Sequence, residues 1–225
     1  MDISSAAFAR FSQRLSNIRN EASTKILDYI SKTNFLDFVE SADPEALRSF
    51  VDYCYGITTK YGEAAGALSA EMYDALAELS GVIVPPAVPG ATPEYWEVRK
   101  TVDGVLKQSK SEKLLSSAIG RHVKNIEMST MRQNAERDGA EVAWIPHGDS
   151  CPFCIMLASN GWKPARKAKY AEHVHANCNC ELCVRFDGKT NVKGYDPDKY
   201  KAMYDSAEGN NWREKLNSMR SEIEI

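Results

Sequence analysis

The sequence predicts a mostly α-helical protein with a small α+β module toward its C-terminal side. Three observations carry that reading. Apolar residues recur at spacings of three and four over long runs before residue 140. Asp-Pro pairs mark helix starts, and clusters of glycine and proline mark breaks. Beyond residue 140 the pattern shortens into alternating runs and closely spaced cysteines. The chain has 225 residues, 43% of them hydrophobic and 26% charged, enough to bury a core and against a disordered or collagen-like chain. No stretch approaches the roughly 18 consecutive apolar residues of a membrane-spanning helix. The first twenty residues carry Asp2, Arg10, Arg14 and Arg19 without an apolar run, so no secretory signal is expected.

Taken in order, Phe8, Phe11, Leu15, Ile18, Ala22, Ile26 and Ile30 lie on one stripe of a first helix, with Ser4 and Ser5 as candidate caps. Asp43-Pro44-Glu45 opens a second helix, a cap followed by proline at the first helical position. It turns Leu47, Phe50, Val51 and Cys54 inward. Gly56 is expected to interrupt it, and helix resumes from about Ala64 to Leu79. Pro85, Pro86, Pro89 and Pro93, with Gly81 and Gly90, make Ser80 to Pro93 a stiff extended connector and a candidate hinge. Helices follow from about Glu94 to Gln108 and from Glu112 to Arg137, the latter stopped by Asp138-Gly139. His122 falls on or beside its apolar stripe and reads as a packed residue. Ala140 to Pro146 reads as a strand, Pro152 to Ala158 as a short helical turn, and Cys180 to Phe186 as a second strand. Asp196-Pro197 caps a further helix, and Trp212 to Ile223 forms the last. The implied division is a helical arm at 1–79, a proline-rich connector at 80–93, a helical segment at 94–139 and an α+β module with C-terminal helices at 140–225.

Charge narrows the functions. The net charge is −3 and the pI about 5.9, which gives no support to non-specific wrapping of nucleic acid. The acidic excess lies in residues 1–140, and residues 141–225 are balanced.

Cysteine placement is the most specific signal. Cys54 stands alone and reads as a small buried hydrophobe. Cys151, Cys154, Cys178, Cys180 and Cys183 fall close together, and without a secretory signal such clustering reads as a metal site before it reads as disulfides. Cys151-Pro152-Phe153-Cys154 and His175-Ala176-Asn177-Cys178 each place two ligands at i, i+3. Zinc takes four tetrahedral sulfur and nitrogen ligands from such halves. The expected ligands are Cys151, Cys154 and His175, with Cys178 and Cys180 competing for the fourth place. His173 is near but breaks the spacing. Cys183 points to the opposite strand face, beside Arg185. Four protein ligands make a closed, structural zinc site, so the fold class becomes mostly α with a zinc-stapled α+β module. A thioredoxin-like role for Cys151 and Cys154 lacks the surrounding βαβ unit.

The run Ala143-Trp144-Ile145-Pro146, Cys151 through Gly161 (C-P-F-C-I-M-L-A-S-N-G) and His175-Ala176-Asn177-Cys178-Asn179-Cys180 resembles the MuF-like phage minor capsid, or head morphogenesis, proteins. Gly194-Tyr195-Asp196-Pro197-Asp198 with Tyr204 is similar to the same branch. The close match covers about residues 141–207, and the helical half resembles the family in layout alone. Asn160 and Trp162 depart from the pattern, and His173 leaves the ligand set open. The resemblance implies a structural virion protein of the phage head, made in the host cytoplasm, with the portal or major capsid protein as partner and no membrane.

No catalytic constellation competes with that expectation. There is no Gly-x-Ser-x-Gly, phosphate loop or Gly-x-Gly-x-x-Gly, and no deaminase pattern of His-x-Glu with Pro-Cys-x-x-Cys. Glu222-Ile223-Glu224 has the look of an ADP-ribosyltransferase pair but reads as an acidic helix tail. The chain is therefore expected not to be an enzyme. The alternative is a zinc-stabilised nucleic-acid-binding protein or nuclease. His147 or His173 would then serve as base, and Lys163, Arg166, Lys167 and Lys169 would touch phosphate, flanked by Trp162 and Tyr170 for stacking. That basic loop is also the candidate contact with packaged DNA in a head protein.

Overall fold

The computed structural model describes residues 2–40, 43–147, 150–168 and 180–222. Among them are eight α-helices and one three-stranded antiparallel sheet. The first helix, α1 (Ser5–Thr33), buries Phe8, Phe11, Leu15, Ala22, Ile26 and Ile30, as its spacing predicts. Ser12 and Arg19 share that buried stripe. Asn34 ends the helix in the left-handed region at φ 49°, its amide donating to the Ile30 carbonyl. A short α2 (Phe35–Glu40), absent from the sequence reading, follows at once. It is anchored by Phe35, whose ring stacks on Phe50 at 4.0 Å between centroids.

The next helix, α3 (Pro44–Leu79), starts where the sequence says. The Asp43 carboxylate accepts from the Glu45 and Ala46 amides, and Pro44 fills the first position. It then runs unbroken through Gly56, against expectation. A mid-helix glycine costs only about 1 kcal/mol. Burial of Phe50, Val51 and Cys54 before it, and of Tyr61, Ala65 and Leu68 after it, outweighs that cost. Farther along, Gly62 and Gly66 let α3 approach α5 (Glu112–Arg137) closely: a Cβ at Gly62 would stand 2.2 Å from Ile126 Cδ1.

The proline segment between α3 and α4 (Tyr95–Gln108) is not a loose hinge. Its Ala87 amide donates to Asp74, its Val88 amide to Asn134 and its Gly90 amide to Thr130. Arg137 donates to the carbonyls of Pro85 and Pro86. Proline supplies no N–H, and three of the amides present are matched to side chains of α3 and α5, so the segment lies bound along them.

The sheet follows in the order β2 (Lys163–Pro164), β1 (Glu141–Ile145), β3 (Glu181–Arg185). In the β1–β3 pair Val142 opposes Val184, Trp144 opposes Leu182, Ala143 opposes Cys183 and Ile145 opposes Glu181. Opposed residues share a face. Helix α6 (Pro152–Ala158) packs on β1, and α7 (Pro197–Ser206) and α8 (Trp212–Glu222) pack on α6. The other face of the sheet lies on α5 and α3. One hydrophobic cluster runs from Phe8 and Leu15 of α1 through Leu68, Met128 and Ala135 to Trp144, Leu182 and Leu157. Ile3 adds a bridge to Val192, which ties the first residues to the segment after β3.

Candidate functional site

The cysteine half-site is built by local rules. Pro152 fixes the first turn of α6, and Cys151 sits at its N-cap in an extended conformation. The Cys151 sulfur accepts the Cys154 amide at 3.5 Å, so the two cysteines share one capped turn. Cys154 is buried on the inner side of α6. Cys180, one residue before β3, is buried in the same cluster. Burial, then the Cys180 and Asp196 charges, push the Tyr200 hydroxyl of α7 upward. Leu157 of α6 meets Trp144 and Leu182 around a cleft of about 90 Å³. Cys183 has the opposite parity on the strand and is wholly buried, its thiol pushed up by burial. His173, His175 and Cys178 lie outside the described residues, and among the described ones no three His, Cys, Asp or Glu side chains converge on a metal position.

Behind the strand lies a centre the sequence reading missed. Arg19 of α1, Lys124 and Glu127 of α5 and Glu181 of β3 form a buried ionic network. Arg19 Nη1 donates to Glu127 Oε2 at 2.7 Å and to Glu181 Oε1 at 3.2 Å. Lys124 Nζ donates to Glu127 Oε1 at 2.6 Å and to Glu181 Oε2 at 2.5 Å. The Ser12 hydroxyl donates to Glu181 Oε1 at 3.3 Å. None of the four charged side chains is more than 9% exposed. Each carboxylate receives both cations, which offsets the cost of taking charges out of water. Burial works against the Arg19 charge, but Glu127 and Glu181 outweigh it and hold the guanidinium ionised. Burial likewise opposes the Glu181 charge, yet the Lys124 and Arg19 charges keep its carboxyl below the usual range. Glu127 is the member pushed up, by burial and then by the Glu181 charge.

His147 borders this network. Its ring stacks on Phe8 at 5.3 Å, and its buried Nε2 has no hydrogen-bond partner among the described residues. Burial, then the Lys124 and Arg19 charges, push it down to about 4, so it is neutral. It is packed as a ring against α1. His122 bonds the Thr101 hydroxyl at 2.9 Å in the crevice between α5 and α4.

The basic loop falls in part within the described residues. Lys163 lies on β2 and donates to Asn160 at 2.6 Å. Arg166 and Lys167 are exposed on a single 3₁₀ turn, while Lys169 and Tyr170 lie outside the described residues. Trp162 is engaged inside the protein: its Nε1 donates to Asn191 and the Arg185 guanidinium covers its ring at 4.6 Å. Arg185 is in turn held by Glu141 at 2.7 Å.

The signal for the ionic centre was present but non-local. Arg19 and Ser12 occupy stripe positions of α1, and Lys124 and Glu127 are three apart on α5. A charged residue at an apolar position asks for a buried partner.

No described helix is long and apolar enough to cross a membrane. The family model described as "VG15 protein" matches residues 2–207, which takes in the bundle, the sheet and α7. No curated protein and no solved structure matches the chain. The chain belongs to the VG15 protein family, a family of viral, phage-type proteins.

Proposed function

We propose that this VG15-family chain is a minor structural component of the phage head, which acts in head morphogenesis by linking portal protein, capsid shell or packaged genome. The observation that carries the reading is the family match over residues 2–207, spanning both the helical half and the sheet. The resemblance of the Cys151–Gly161 and His175–Cys180 strings to MuF-like minor capsid proteins supplies the finer role. The chain acts by holding its shape and binding, and is not an enzyme. A structural zinc ion is part of the reading. Cys151 and Cys154 would hold it together with His175 and one of Cys178 and Cys180. When bound it supplies folding free energy, since such a site is not preformed in the unfolded chain. Arg166 and Lys167, exposed on their turn, would touch packaged DNA with Lys163 and Lys169.

The test is quantitative mass spectrometry of purified particles of the phage that encodes this chain. A few to some tens of copies per particle is the expected result. Absence from particles overturns the reading. Elemental analysis of the purified full chain tests the metal separately: one zinc per chain is expected, with the stoichiometry lost in Cys154→Ser.

A further inference from the structure

We propose that the tip formed by the end of α3 and the extended segment after it is a docking surface for a partner protein that presents an apolar pocket bordered by Lys or Arg. The apolar stripe of α1 is covered by α3 and α5, so it is not available to a partner. Exposed large apolar side chains instead concentrate here: Leu79, Val82, Ile83 and Val88 fall within ten residues, and Ile83 is 100% exposed. Elsewhere they fall singly, as at Leu27, Leu114, Met203 and Trp212, or as the adjacent pair Tyr95 and Trp96 at the start of α4. A contiguous exposed apolar patch marks an interaction site, whereas scattered single residues do not.

The tip is also held in place. Gly81, at φ +66°, turns the chain out of α3 while its amide donates to the Glu78 carbonyl and the Val82 amide to the Ala77 carbonyl. On the far side, Arg137 holds the Pro85 and Pro86 carbonyls at 2.7 and 3.1 Å, Asp74 holds the Ala87 amide and Asn134 the Val88 amide. Ile83 is thus displayed on a segment fixed at both ends, which lowers the ordering cost of binding.

Charge selects the partner. Glu71, Asp74 and Glu78 stand at i, i+3 and i+7, one outer face of α3. Asp74 and Glu78 line an open cleft of about 440 Å³ with Ala77, Val82, Ile83 and Pro86. The nearby Arg137 is neutralised by Asp138 at 2.7 Å. An apolar knob beside a row of carboxylates fits a pocket with a basic rim. A two-fold pair of copies of this chain would set the carboxylates against each other, which disfavours a second copy as occupant.

The experiment places a photo-cross-linking benzoylphenylalanine at position 83 of the full chain, in infected cells, with Trp96 as the control position. Expected is one dominant adduct to a different protein, on a peptide carrying apolar residues flanked by Lys or Arg. The adduct should fall at least tenfold in the Glu71→Lys, Glu78→Lys background, with the thermal transition of the chain unchanged. No adduct beyond that of the Trp96 control, an adduct to a second copy of this chain, or a yield insensitive to the charge reversal overturns the proposal. An adduct to a protein absent from the particle would leave this inference standing and count against the head-protein reading, so the two fail separately.

Discussion

Replacing Glu181 by Gln removes one charge from the buried network and almost no volume. In the native arrangement Glu181 receives Lys124 at 2.5 Å, Arg19 at 3.2 Å and Ser12 at 3.3 Å. After the change, two buried cations share Glu127 alone, and a Gln amide group faces one of them. Breaking a buried pair by removing one partner costs about 3–5 kcal/mol. For a protein of this size that is a fall in Tm of roughly 6–20 °C. The assay is urea unfolding followed by circular dichroism and by tryptophan fluorescence. The midpoint should fall with the slope unchanged, so that the change is one of stability. Lys124→Met combined with Glu181→Gln restores balance, because Arg19 and Glu127 remain paired at 2.7 Å. The double variant should therefore be more stable than the sum of the two single losses predicts. By contrast, Lys201→Met breaks an exposed pair with Asp205 and should leave the midpoint where it is. A Glu181→Gln midpoint equal to that of the native protein, or strictly additive single losses, would refute the argument that charge balance holds α1, α5 and β3 together.

Three further outcomes follow from the same geometry. His147 is pushed down to about 4 in the fold. The unfolded chain, whose imidazole titrates near ~6.5, therefore binds the proton first, and stability is lost as pH falls from about 6.5 toward 4. Glu127, pushed up to about 8, acts with the opposite sign as pH rises, so the quantity to measure is the difference between native protein and His147→Gln. That difference should widen in the variant's favour below pH 6, and a difference flat from pH 7 to 4 counts against the burial of the ring. Gly56→Ala meets nothing within 4 Å and should raise stability by about 0.5–1 kcal/mol in a thermal melt. Gly90→Ala would put a Cβ 2.2 Å from Ser129 Oγ and 3.0 Å from the Ile126 carbonyl oxygen. It should cost about 1–3 kcal/mol and expose the proline segment to proteolysis.

The elements with local chemistry were legible in the sequence. Asp43-Pro44 and Asp196-Pro197 carry their own cap and first-turn geometry, and both carboxylates accept the amides expected of them. The apolar stripe of α1 is a property of a single helix, as is the Cys151–Cys154 turn. What was missed depends on partners far along the chain. Gly56 reads as a break only in isolation, since the burial that overrides it comes from α1, α4 and α5. The proline segment reads as a hinge because its hydrogen-bond partners, Asp74, Asn134 and Arg137, lie outside it. Arg19 finds Glu127 and Glu181 at sequence separations of 108 and 162, beyond any periodicity.

These separations meet on one strand. Between positions 180 and 183 the side chains alternate across the sheet, a consequence of the two-residue period of extended chain. Cys180 and Leu182 share one parity, and Leu182 lines a cleft with Leu157 of α6. Glu181 and Cys183 share the other parity, and Glu181 joins Arg19 and Lys124 of the bundle. The strand therefore carries the ionic network on the parity of Glu181 and an expected metal ligand, Cys180, on the other. A one-residue slip would place Glu181 among Trp144 and Leu157 and leave two cations without a counter-charge, so the network fixes the register that the cysteines need. It follows that Cys180→Ser and Glu181→Gln, though directed to opposite faces, should interact: the loss in the double variant should depart from the sum of the singles by more than about 0.5 kcal/mol, the margin within which independent sites add. Additivity within that margin would mean that the two faces are stabilised independently, and that the bundle does not hold the register of the strand for the cysteine side.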